Sequence, residues 1–158
     1  MYNASQIADW FINQADVDSG DTLSHLKLQK LVYYAQAWHY TIHGEALFEE
    51  PIQAWKRGPV VRSLYDRFSS VLPYNSILPI YQQLDLVEFP EKTEALLDDI
   101  KHIYGEHSGA YLEDLTHQED PWIIARAGLP NYANCENEIT LASMKEYYSQ
   151  KLDGQAQA

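Results

Sequence analysis

His39 and His43 stand four residues apart in the run HYTIH. On a helix that spacing puts both imidazoles on one face, a geometry that can chelate zinc. The run offers no glutamate where a zinc hydrolase would keep its base, and His117, Glu119 and Asp120 could add ligands only from afar. Helix-surface or hydrogen-bonding histidines are the expected reading. A metal site on His39 and His43 in a small hydrolase is the alternative. The single cysteine, Cys135, excludes an intrachain disulfide and fits a reducing compartment. Paired with a distant histidine it could imitate a thiol enzyme, but a structural role is expected. No GxGxxG or GxxxxGK[ST] run occurs. The remaining constellation is basic: Lys56, Arg57, Arg62 and Arg67, with Asp66 near. A helix starting at Pro59 behind Lys56 and Arg57 could hold an anion on its first N–H groups, though proline removes one donor. An architectural turn is the competing reading. No cofactor and no catalytic residue are expected.

The elements that must position these groups are mainly helical. Asn3 with Gln6 reads as a capping box opening a helix through residue 14, with Ile7, Ala8 and Phe11 on its apolar side. Residues 16–22 read as loop. Ser24 can cap a second helix and Gly44 can end it. In it Leu28, Leu31, Val32, Ala35, Trp38 and Ile42 recur at helical spacing as a buried stripe. Gln29, Tyr33, Gln36, Tyr40 and His43 form an adjacent polar stripe, where Tyr33 and Tyr40 are candidate partner contacts. Residues 51–56 read as a short strand. Gly58 allows a tight turn, and Pro59 suits the first position of a helix with Val60, Leu64, Tyr65 and Phe68 inward. Residues 77–81 and 84–89 read as short extended pieces in a proline-rich stretch. Further helices are predicted over residues 91–104, with Leu96, Leu97, Ile100 and Ile103 inward; after Ser108, with Tyr111, Leu112 and Leu115 inside; and over residues 122–127, ended by Gly128. A brief strand at residues 138–140 and a last helix capped by Thr140 complete the chain, with Leu141, Met144, Tyr148 and Leu152 inward. The fold class expected is mainly α with a small β element, α+β. It forms a compact single domain of six or seven helices over residues 1–152, with residues 153–158 a frayed tail.

Charge narrows the partners. Formal net charge is −12, and residues 84–120 hold eleven acids against Lys92 and Lys101. Such a surface repels phosphate backbones, so direct nucleic-acid binding is not expected. It would draw in a basic protein. No apolar leader or membrane-length run occurs in the sequence. A cytoplasmic protein without a membrane role is the expectation.

The run LKLQKLVYYAQAWHYTIHGEALFEEPIQAWKRGPVVRSLY resembles the Panacea domain, the family of SocA-like antitoxins also labelled phage-associated protein GepA. Lys30, Tyr33, Trp38, Trp55, Gly58, Pro59, Val60 and Tyr65 are among the residues that carry the resemblance. A second run, LTHQEDPWIIAR, is similar to the family's later motif through Leu115, His117, Pro121, Trp122 and Ala125. The resemblance implies an antitoxin of a toxin–antitoxin system, not an enzyme, which neutralises a cognate protein toxin by direct contact. One branch of the family is similar to a proteolytic adaptor that hands its toxin to a ClpXP-type protease. Members pair with unrelated toxins, so the resemblance does not identify the partner. The motif residues themselves serve either the fold or partner binding.

Overall fold

A computed structural model describes residues 1–16, 23–71 and 75–157, with side chains described to residue 154. Most of the expected loop at 16–22, Pro73 and the last residue of the expected tail lie outside the described residues. The described chain forms seven α-helices and a three-stranded antiparallel sheet, the expected α+β class.

Local capping sets the helix starts. In α1 (Ala4–Gln14) the Asn3 side chain accepts from the Gln6 amide at 2.8 Å, and Gln6 Oε1 accepts from the Asn3 amide at 3.1 Å. In α2 (His25–His43) Ser24 Oγ accepts from the Lys27 amide, and Gly44 ends the helix in the left-handed region at φ 70°. The helix α4 (Glu91–Tyr104) ends at Gly105, while α5 (Gly109–His117) is capped by Ser108. Then come α6 (Asp120–Ala125) and α7 (Leu141–Gln157), the latter opened by Thr140 Oγ1. α7 continues into the stretch expected to fray.

α2 is the axis of the fold. It packs against α7, α4, α5, α1, α3 and the sheet. Fourteen of its nineteen residues are buried, so it has no continuous wet face. An enclosed helix must satisfy its polar side chains internally. Gln29 does so by pairing with Val61, accepting from its N–H at 2.9 Å and donating to its carbonyl at 3.3 Å. One heptad later Gln36 accepts from Leu47 N–H at 2.7 Å and donates to the Phe48 carbonyl at 2.8 Å. Gln29, Tyr33 and Gln36 of the stripe expected to be polar are therefore internal ties, while Tyr40 and His43 stay half-buried near the helix end. Ile42, expected inside, lies half exposed at the end of the helix, beyond its neighbours. Ile103, Tyr111 and Leu152 are likewise exposed where inward positions were expected.

The sheet has strand order β2-β1-β3, from β1 (Ile52–Trp55), β2 (Gly58–Val61) and β3 (Glu138–Ile139). Trp55 pairs with Gly58 and Ile52 with Val61, so Lys56 and Arg57 are the two-residue turn of a β-hairpin. This corrects the expected helix start at Pro59. β-branched Val60 and Val61 favour a strand, and an edge strand can carry a proline. The helix α3 begins at Arg62 and runs to Phe68. Gly58 takes φ +110°, which side chains rarely adopt. Neither extended piece expected at residues 77–81 and 84–89 is a strand: Pro79–Tyr81 form a 3-10 turn, residues 84–89 join no sheet, and the isolated bridge beside them is Ser76 to Ser24.

Candidate functional site

Both motif runs converge on the β1–β2 hairpin. From beneath, the Trp122 indole N–H donates to the Trp55 carbonyl at 2.8 Å, and the His117 ring stacks on Trp122 with centroids 4.1 Å apart. Pro121 is buried in the first turn of α6. Arg126, which sequence reasoning did not single out, is 1% exposed. It donates to the carbonyls of Ala54, Pro130 and Ala133, and its guanidinium lies 4.7 Å from the Trp122 ring centroid. Trp122 in α6 and Arg126 at its end thus tie the middle strand β1 to the loop after α6. The signal for Arg126 was its place at the end of the second run; its carbonyl partners have no sequence mark.

Above this support lies a cleft of about 420 Å³ between the start of α2, the hairpin, α3 and residues 134–136. Val60, Leu26, Trp55 and Tyr65 supply apolar surface. Trp55 and Tyr65 rings meet with centroids 4.9 Å apart, and the Arg62 guanidinium lies 5.6 Å from the Trp55 ring. Tyr65 is 40% exposed, not inward as expected, because α3 starts three residues later and turns that face outward. Cys135 lines the cleft and accepts from the Asn137 amide through its sulfur.

The floor carries a buried amine. Lys30 is fully buried, and among the described residues its one hydrogen bond is from Nζ to the Pro59 carbonyl, at 3.3 Å. Burial holds its pKa down to about 7; Glu113 pulls it up and Arg57 pushes it down. Beside it His25, lowered to about 4 by burial and then by Lys30, accepts from the Gln29 amide at 3.1 Å. The basic island is largely answered by the chain's own acids. Arg57 meets Glu113 at 2.8 Å, Arg67 meets Asp9 at 2.7 Å, and Arg62 reaches both Asp66 and Glu136.

The other expected contacts lie elsewhere. Tyr33 is 1% exposed, its hydroxyl 3.0 Å from that of Tyr148, which donates to Glu119 Oε1 at 2.9 Å. Tyr34 donates to the same oxygen at 2.7 Å. Burial raises the Glu119 pKa, and the two hydroxyls oppose that rise. Tyr33 is thus core and not a partner contact, because α7 covers the face on which it stands. Trp38 is half-buried in the same region, donating to the Tyr104 hydroxyl at 2.9 Å. Tyr40 is half-buried, with Lys145 Nζ 5.8 Å from its ring centroid.

His39 and His43 rings are 4.9 Å apart, but both His39 nitrogens are engaged, Nδ1 with the Glu45 carbonyl at 2.7 Å and Nε2 with Thr93 Oγ1 at 2.9 Å. A carbonyl can only accept, so Nδ1 is the donor; burial lowers the ring's pKa and the Glu45 carbonyl opposes that shift. His117 stacks on Trp122 under the hairpin and does not join them. Among the described residues no three His, Cys, Asp or Glu side chains gather as a metal cage. No described helix is long and apolar enough to cross a membrane.

The family model described as antitoxin SocA-like, Panacea domain, matches residues 28–123. The chain belongs to this family. The matched span begins in the first turn of α2 and runs through the hairpin, α3, α4 and α5 into α6, so it takes in most of both converging runs. No curated protein and no solved structure matches the chain.

Proposed function

We propose that this Panacea-domain chain is an antitoxin that neutralises a cognate protein toxin by binding it, without catalysis, and that the hairpin cleft is its docking face. The observation that supports the reading most is that both family motif runs converge on the hairpin, the first lining its concave, partly exposed face and the second supporting it from beneath. Trp55, Tyr65 and Arg62 at its rim are the residue types that dominate binding hot spots. The role first expected of Tyr33 passes to Tyr65 and Trp55; Tyr40 stays a peripheral contact. Of the eleven acids in residues 84–120, nine are exposed, Glu113 is half-buried and Glu119 is buried. The exposed nine would speed encounter with a basic toxin.

The test is co-expression with the product of the adjacent gene, followed by co-purification. Rescue of growth with a stable complex supports the reading; a harmless neighbour, or rescue without any complex, sinks it. Action as a proteolytic adaptor makes a separate expectation. Toxin half-life would then shorten when the chain and a ClpXP-type protease are both present, whereas simple sequestration leaves it unchanged or longer.

A further inference from the structure

We propose that the hairpin cleft accepts a segment of the toxin in which an apolar side chain stands next to a carboxylate. This rests on the antitoxin reading and names what the docking face recognises.

The walls decide the apolar part. Leu26, Val60, Trp55 and Tyr65 enclose about 420 Å³, within the range of sites that take a compact organic group and ample for one aromatic side chain. The charge around them decides the rest. The cleft is lined by Lys30, Lys56 and Arg57 against one carboxylate, Glu136, on a chain whose net charge is −12. Glu136 is already engaged by Arg62 at 3.3 Å, and Arg57 is answered by Glu113. Lys56 is exposed and makes no ion pair among the described residues. Lys30 sits in the floor with a single long hydrogen bond to a neutral carbonyl. A buried ammonium so poorly matched is costly, and a carboxylate brought close to it removes part of that cost. A cationic side chain would add to it. Long-range attraction and local recognition therefore carry opposite signs: the acidic side of the molecule draws a basic partner in, and the cleft selects an acidic point on it.

The probes are N-acetyl-phenylalanine and its C-terminal amide, which differ only in the carboxylate. The four tryptophan indole N–H groups give a resolved map by nitrogen NMR. Trp10, Trp38 and Trp122 donate to Glu94, Tyr104 and the Trp55 carbonyl, while Trp55 donates to Gln53 beside the cleft. The acid should shift the Trp55 signal and leave Trp10 and Trp38 in place. The amide should bind about tenfold more weakly. Lys56→Gln, at an exposed site, should weaken the acid and spare the amide; Lys30→Met should do the same if it folds. At saturation the acid should displace the toxin from a preformed complex. Equal binding of acid and amide, or no Trp55 shift, overturns the carboxylate preference. Acid that binds while the toxin stays bound shows a site for a free small acid and overturns the assignment to the toxin. Because complex formation and rescue are measured first without probe, a failure of the antitoxin reading is seen separately.

Discussion

A Cβ on Gly58 would stand 2.5 Å from Lys30 Cε and 3.0 Å from Thr116 Oγ1. The hairpin thus closes directly onto the buried amine, and three separate runs of the chain meet at one glycine. Gly58→Ala must move the lysine stem and also accept φ +110°. We expect a loss of about 1–3 kcal/mol in urea unfolding. The loss should shrink when Lys30→Met, with a more yielding end, is added; equal losses in both backgrounds would show that backbone strain alone is responsible.

Stability should rise with pH in two windows. Lys30 keeps its proton to about 7 when folded and to its ordinary value of 10.5 when unfolded. Between those values the unfolded chain binds more protons, so its free energy relative to the native state increases with pH. The cost of the buried charge is complete below pH 7 and relieved above it. His25, about 4 when folded against 6.5, gives the same sign between pH 4 and 6.5. Lys30→Met should flatten the upper window and stabilise the protein most below pH 7. Urea midpoints across pH 5–10 measure this, and a mutant slope equal to that of the unmodified chain refutes it.

Arg126 offers a test of the support beneath the cleft. Its removal leaves the carbonyls of Ala54, Pro130 and Ala133 without their buried donor. Arg126→Met keeps most of the volume and should cost about 3 kcal/mol or more. Arg126→Lys should rescue little, since an ammonium cannot span three carbonyls as a planar guanidinium does. Hydrogen exchange at β1 should accelerate in Arg126→Met; a local effect confined to residues 130–133 would separate the loop from the strand.

The helix starts were legible because capping is local: Asn3, Ser24, Ser108 and Thr140 each bond within three residues. The hairpin was only half legible. Gly58–Pro59 opens a helix as readily as it closes a turn, and the group that favours the strand, Gln29, stands 32 positions from its partner Val61. Tyr33 was misplaced for a related reason. A polar stripe on a helix signals a wet face only if one exists, and every residue of α2 from His25 to Ala37 is buried. The family motif marked residues that matter without dividing core from surface. The cleft itself required residues 25–30, 55–65 and 134–136 to meet, and no spacing in the sequence announces that.

The division between core and docking face yields the sharpest prediction. Tyr33 and Tyr65 both belong to the motif, yet one is 1% exposed and the other 40%. Tyr33→Ala removes a ring from the centre of the fold together with the hydroxyl that meets Tyr148, and should cost about 3–5 kcal/mol. Any loss of toxin rescue should then follow the loss of folded protein. Tyr65→Ala should cost about 1 kcal/mol, because its ring is 40% exposed and the aromatic rings it meets among the described residues are Trp55 and His25. It should nonetheless weaken toxin binding at least tenfold if the rim is a hot spot. Circular dichroism, urea midpoints and affinity measured on the same samples decide the matter. Normal binding by Tyr65→Ala would remove the hairpin cleft as the docking face while leaving an antitoxin role in place.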